Sequence, residues 1–187
     1  FLSHIREVAA IVHVVRCFED ENIVHVDGRI DPISDIETIN MELILSDLEI
    51  LDRRITKTQK NLKGDKSLQG ELDLLKRVND FIAAGKSARA MELSEEESEF
   101  VDSLNLLSNK PIIYVANVSE DQISDSEIEN NEMIKKVKDF AKSEDAEVVA
   151  ISAAIESEVA ELDDEEKALF LEAVSYTHLR AHETLRY

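Results

Sequence analysis

Asn117 and Glu120 stand three residues apart in the segment Lys110 to Glu120, KPIIYVANVSE. A carboxamide offers both a donor and an acceptor, and a carboxylate offers acceptors only, so the pair can read the hydrogen-bonding edge of a purine base. Such reading needs the two side chains at the end of a rigid element. Pro111, then Ile112, Ile113, Tyr114, Val115 and Ala116 supply one: a short apolar run with β-branched residues, bounded by a proline and by polar residues 117–119, has the pattern of a buried parallel strand. Ligands of open α/β sheets bind beyond the carboxyl ends of the strands, which is where Asn117 and Glu120 fall. Further on, a second strand-like segment, EVVAI from Glu147 to Ile151, ends in Ser152 and Ala153.

Other residues with chemical potential read as structural. Cys17 is the single cysteine, so an internal disulfide is excluded, and at the end of a predicted strand it is expected to be a small buried residue. His13 lies within that strand, Ala9 to Val15, and is expected to be packed or hydrogen-bonded; His4 and His25 are read in the same way. The acidic run Glu95 to Glu97 suits a helix N-terminus through the macrodipole better than a metal. His178 and His182 have the i, i+4 spacing that shares a metal on a helix, but no third ligand is within reach by sequence. No catalytic or metal-ligating residue is assigned.

In GTPases the loop after the corresponding strand reads N-K-x-D, and its Asp accepts from the ring NH and amine of guanine. Here it reads Asn117, Val118, Ser119, Glu120. The longer Glu moves the acceptor outward and the absent Lys removes a brace, a departure from guanine specificity. A strand followed by Ser-Ala resembles the last nucleotide-contacting loop of the same fold, where backbone NH groups meet the base. With these loops, the segments FLSHIREVAAIVHVVRCFED, DPISDIETINMELILSDLE, KPIIYVANVSE and ISAAIESEVAEL resemble the YchF, or Obg-like ATPase, subfamily of P-loop NTPases over roughly residues 1 to 173.

The resemblance implies a parent protein that hydrolyses ATP with Mg2+, takes GTP as a second substrate, and works with ribosomes or translation in the cytoplasm. It implies that Asn117 binds the base edge, that Val118 contributes backbone contacts, and that Glu120 accepts from the exocyclic amine or shapes the loop. Ser152 and Ala153 would close the base pocket. Adenine carries an amine donor where guanine carries a carbonyl, and a site built to pair polar edges discriminates by as much as ~10⁴-fold. The phosphate loop G-x-x-x-x-G-K-[ST] that cradles the phosphates does not occur in this sequence, which has four glycines. Phosphate binding, Mg2+ and catalysis are therefore expected from a part of the parent that precedes Phe1, and this chain alone is expected to be inactive.

The elements that position the loops follow an α/β order: strand, helical excursion, strand, helix, strand. The expected architecture is a partial P-loop NTPase, or G domain, parallel sheet with an inserted antiparallel helical coiled-coil hairpin. Asp31-Pro32 reads as a break, and Ser34 with Glu37 as a capping box that opens a long helix. Ile36, Ile39, Leu43, Leu48, Leu51, Ile55 and Leu62 recur close to a heptad seam up to Gly64, and Leu68, Leu72, Leu75, Val78 and Ile82 form the second stripe. Neither helix buries its stripe alone, so the two are expected to pack against each other. Ser94 with Glu97, Ser124 with Glu127 and Asp163 with Glu166 mark further helix starts, the second of them for one helix running to Ala141. The implied divisions are a first G-domain part at 1–33, the helical insertion at 34–107, and a second G-domain part at 108–174.

Residues 175–187, SYTHLRAHETLRY, change character abruptly after an acidic stretch and lose the resemblance, where a C-terminal TGS domain would be expected to follow. They are read as a non-native tail.

With 43% hydrophobic and 33% charged residues, the composition is that of a folded protein rather than a disordered one. No apolar run approaches a membrane span. The formal net charge of -20 repels phosphate backbones and anionic lipid surfaces, so neither direct nucleic-acid binding nor membrane binding is expected. A reading of a different class remains beside the nucleotide one: a helical protein-interaction module without nucleotide hydrolysis, with residues 34–85 as its surface.

Overall fold

The computed structural model describes residues 2–20, 30–163 and 166. The elements run α1 (Leu2–Arg6), β1 (Ile11–Arg16), α2 (Pro32–Asn61), α3 (Gln69–Ala83), α4 (Glu95–Ser103), β2 (Ile112–Asn117), α5 (Asp125–Asn130), α6 (Glu132–Ser143), β3 (Glu147–Ile151) and α7 (Ala153–Glu161). The chain is α/β, and the strands form one sheet in the order β1-β2-β3. Two compact units divide it. The first holds Ser34–Ile112 and Ser143–Ala146 with residues 2–11; the second holds Ile113–Lys142 with residues 12–20, 30–33 and 147–163.

The long helix α2 begins earlier than the Ser34–Glu37 pattern suggests. Asp31 accepts from the Ile33 amide at 3.2 Å, and Pro32 is the first helical residue. Proline at that position gives up no hydrogen bond, because the first amides of a helix have no intrahelical partner. What reads as a break in sequence is thus a helix start.

Antiparallel pairing of α2 and α3 follows from partners that run in opposite directions. Arg54 and Thr58 both reach Glu71 near the turn, while Met41 lies beside Gly85 at the other end. Gly85 has φ +83°, the left-handed conformation that closes a helix at little steric cost when the residue is glycine. Between these ends Ile44, Leu51, Leu75, Val78 and Ile82 form a core that also takes in Val101 of α4 and Leu106. Each such side chain contributes roughly 1.5–3 kcal/mol on full burial. Two expectations shift: Ile39 is exposed, and Gly64 needs no special backbone angle, since α2 ends at Asn61 and Asp65 caps the next turn through Ser67.

Buried charges in this unit are paired. Asp47, within α2, accepts from the amides of Leu107 and Ser108 at 2.9 and 2.7 Å and meets the Arg6 guanidinium at 3.1 Å. Glu144, just after α6, meets Arg89 at 3.0 Å and accepts from the Ser87 hydroxyl.

The Ser94–Glu97 capping box forms in full: Ser94 Oγ accepts from the Glu97 amide and Glu97 Oε2 accepts from the Ser94 amide. The Ser94 amide and then Arg77 hold the Glu97 carboxyl below the usual value of 4.5. A depressed carboxylate contributes stability above its ordinary value and loses it as the pH falls through the folded one. The start of α4 is therefore expected to loosen on acidification below 4.5. Amide exchange at Glu97 against pH checks this, with Glu97→Gln flattening the dependence. α4 ends at Ser103, because Asn105 at φ 52° turns the chain after Leu104, and Leu107 lies beyond it.

In the second unit, β2 and β3 pair in parallel with Ile113 opposite Glu147 and Asn117 opposite Ile151. The Cys17 amide donates to the Asn117 carbonyl at 2.8 Å, extending the β1–β2 side of the sheet. Tyr114 is fully buried against the rings of His13, 5.6 Å away, and Phe140 of α6, 6.0 Å away. His13 is thus a packed residue of the sheet. Asp163 and Glu166 form a reciprocal cap. His25 and the 175–187 tail with His178 and His182 fall outside the described residues.

Candidate functional site at the carboxyl edge of the sheet

Parallel pairing brings the ends of all three strands to one edge, and the loops leaving β2 and β3 meet there. Asn117 is the last residue of β2. Its Oδ1 accepts from the Ala153 amide, the first of α7, at 2.9 Å. Val118 extends the ladder by one rung, its amide donating to the Ile151 carbonyl at 2.8 Å, and its side chain is 2% exposed. The backbone donor of Val118 is thus used inside the protein, and its side chain is a core residue where the GTPase loop carries lysine.

Glu120 begins a 3-10 turn through Gln122 and faces solvent. Ser152 is fully buried, and among the described residues its hydroxyl has no hydrogen-bond partner. Its carbonyl accepts from the Glu156 amide, which starts α7. Asn117 and Ala153 are thus joined directly, with Ser152 next to Ala153 in the chain and Val118 buried beside Ile151, while Glu120 is exposed three residues beyond Asn117.

The Asn117 carboxamide oxygen joins the loops that leave β2 and β3, and its NH2 takes no part in that bond. Ala153, expected with Ser152 to close the base pocket, donates its amide to Asn117.

Sequence reasoning missed Asn131. It separates α5 from α6, so the helix expected from Ser124 to Ala141 is two helices. Its Oδ1 accepts from the amides of Met133 and Ile134 at 2.9 and 3.1 Å, and its Nδ2 donates to the Cys17 carbonyl at 3.2 Å. An asparagine ahead of Glu132 and the apolar pattern of Ile134, Val137 and Ala141 was the available signal, since asparagine ranks among the best N-caps. A cavity of about 470 Å³ opens beside this edge, lined by Cys17, Ser119, Gln122 and Asn131 among others. None of the five expected base-contacting residues lines it.

Among the described residues no group of three His, Cys, Asp or Glu side chains is arranged to hold a metal. The described residues therefore do not form a Mg2+ site. No helix of the described residues is long and apolar enough to cross a membrane.

A scan against protein-family models matches none of them. Among curated proteins, the chain is 51% identical over 173 residues to the ribosome-binding ATPase YchF of Bacillus subtilis, covering 92% of this chain and 47% of that protein. The ribosome-binding ATPase YchF of Haemophilus influenzae is 47% identical over 173 residues, covering 92% and 46%. Among solved structures, the YchF GTPase of Schizosaccharomyces pombe matches with a TM-score of 0.78 at 29% identity, covering 93% of this chain and 48% of that one. The chain spans about half the length of the curated relatives it matches. With half its residues identical to a relative over nearly its whole length, and with the fold of a solved member, this chain belongs to the YchF family.

Proposed function

We propose that this chain carries the base-recognition loops of an ATP-hydrolysing P-loop NTPase, and that Asn117, Ser152 and Ala153 bound the place where the base rests. The observation that carries the reading is the Asn117 Oδ1 bond to the Ala153 amide, which joins the two loops and leaves one carboxamide face for a ligand. Adenine and guanine both present N7 as an acceptor, and they differ in the neighbouring group, an amine on adenine and a carbonyl on guanine. The Asn117 NH2 suits N7 of either base. Discrimination then falls to an acceptor for the amine, and Glu120, exposed at the rim, supplies a carboxylate there. That arrangement favours ATP over GTP.

In this reading Val118 supports the loop from below through its packed side chain. Phosphate binding, Mg2+ and hydrolysis belong to a longer parent carrying a G-x-x-x-x-G-K-[ST] loop, whose backbone amides and lysine would cradle the phosphates and whose hydroxyl would hold the ion. The names of the Bacillus and Haemophilus relatives, ribosome-binding ATPases, support a ribosome-linked ATPase working in the cytoplasm. In isolation this chain has the base contacts without the phosphate contacts and is inactive.

Titration with adenosine and guanosine nucleotides, followed by NMR through the Asn117 side-chain amide and the Ala153 backbone amide, tests the proposal. Expected are shifts at both, stronger for adenosine than for guanosine, with a dissociation constant of about 1 mM or weaker. Shifts confined to other residues, or equal ones with uridine, would overturn it.

A further inference from the structure

Asn131 lies outside both loops of the proposed base site, yet a run of hydrogen bonds leads from it to them. Its Nδ2 donates to the Cys17 carbonyl at 3.2 Å. The Cys17 amide donates to the Asn117 carbonyl at 2.8 Å. Asn117 Oδ1 accepts from the Ala153 amide at 2.9 Å. The series crosses the sheet edge from the start of α6, through the ends of β1 and β2, to the start of α7, and every residue in it belongs to the second unit.

We infer that Asn131 is a positioning residue for the base-recognition loop: it fixes the end of β1, and through it the place of Asn117. This rests on the nucleotide reading of Asn117 and adds to it a residue outside both loops.

Three features carry the inference. Asn131 uses both ends of its carboxamide, the oxygen on the first amides of α6 and the nitrogen on Cys17. Ile134, Val137 and Ala141 bury α6, so its N-terminal cap is a firm anchor. Cys17 is fully buried, which leaves its backbone little room to move without disturbing Asn117. A purine contact made by a single NH2 depends on where that group points, and misplacement by a fraction of an ångström weakens it.

Asn131→Asp separates the cap from the positioning contact. Aspartate caps a helix as well as asparagine does. It has no donor, however, and places a second oxygen against the Cys17 carbonyl. The variant is therefore expected to keep the wild-type Tm and the protection of the Met133 and Ile134 amides, while the Ala153 amide exchanges about 10-fold faster, equivalent to roughly 1.4 kcal/mol. Shifts caused by adenosine at Asn117 should fall several-fold in parallel. Asn131→Ser, which retains a cap and can donate, should restore part of the protection.

Unchanged Ala153 exchange in Asn131→Asp would overturn the inference whatever the nucleotides do. Faster Ala153 exchange, with adenosine shifts absent from Asn117 even in the wild type, would support the positioning series and overturn the base-site reading instead. If Asn131→Asp lowers the Tm and exposes the α6 amides as much as Asn131→Ala does, the residue is only a cap and the inference fails.

Discussion

Glu144→Ala is expected to destabilise the chain by about 3–5 kcal/mol, a large part of the ~5–15 kcal/mol that holds a typical domain together. The Arg89 side chain is 7% exposed and meets Glu144 at 3.0 Å. Arginine does not shed its proton in proteins, so removal of the carboxylate leaves a buried cation without its counter-charge. The Arg89 Nε bond to the Lys110 carbonyl survives, but it supplies no negative charge. Ser87, fully directed at Glu144 Oε1, and Asn40, 3.5 Å from the same oxygen, lose an acceptor as well. Urea unfolding gives the measurement. Replacing both partners, Arg89→Met with Glu144→Leu, should recover most of the loss, because two apolar groups of similar size leave no charge unpaired. A double variant as unstable as Glu144→Ala would show that the network matters through shape rather than charge.

That network was not legible in the sequence, and the reason is physical. Ser87, Arg89 and Glu144 carry no periodic signal; they are polar residues near helix ends, where sequence alone predicts solvent. What was legible follows local rules. The Ser94–Glu97 box, the apolar stripes of α2 and α3 and the strands ending at Asn117 and Ile151 rest on periodicity or on neighbours a few residues apart, and they appear where expected.

Asp31-Pro32 shows a local rule misread, since proline stops a helix from within but opens one at its first position. Asn131 shows one overlooked. The helical period runs through it, and only the capping preference marks the division between α5 and α6. At the candidate site, residue types and placement could be read, as could the approach of two loops through parallel strands. The use of the Ala153 amide by Asn117 could not, because it depends on a side-chain rotamer bridging positions far apart in sequence. Nor could the burial of Val118, whose place in the loop is polar in the N-K-x-D pattern and apolar here.

Asn117→Asp is expected to leave the fold in place while abolishing base recognition, which separates the two functions of that carboxamide. Aspartate keeps an acceptor where Oδ1 receives the Ala153 amide, so the loops stay joined and stability changes by less than about 0.5 kcal/mol if the amide bond is retained. The NH2 becomes an oxygen that meets purine N7 acceptor to acceptor. Loss of a donor to a site that expects one, with repulsion added, costs roughly 1.5–3 kcal/mol, or about 10- to 100-fold in affinity for adenosine and guanosine alike. Asn117→Ala removes both functions, so it should weaken binding to a similar extent and in addition release the Ala153 amide to exchange. The contrast between the two variants is the test. If Asn117→Asp binds adenosine as tightly as the wild type while Asn117→Ala does not, Asn117 acts only as the clasp between β2 and α7, and the base must be read by the rim at Glu120. If both lose binding but only Asn117→Ala frees Ala153, a single side chain ties the loops with one atom and addresses the ligand with the other.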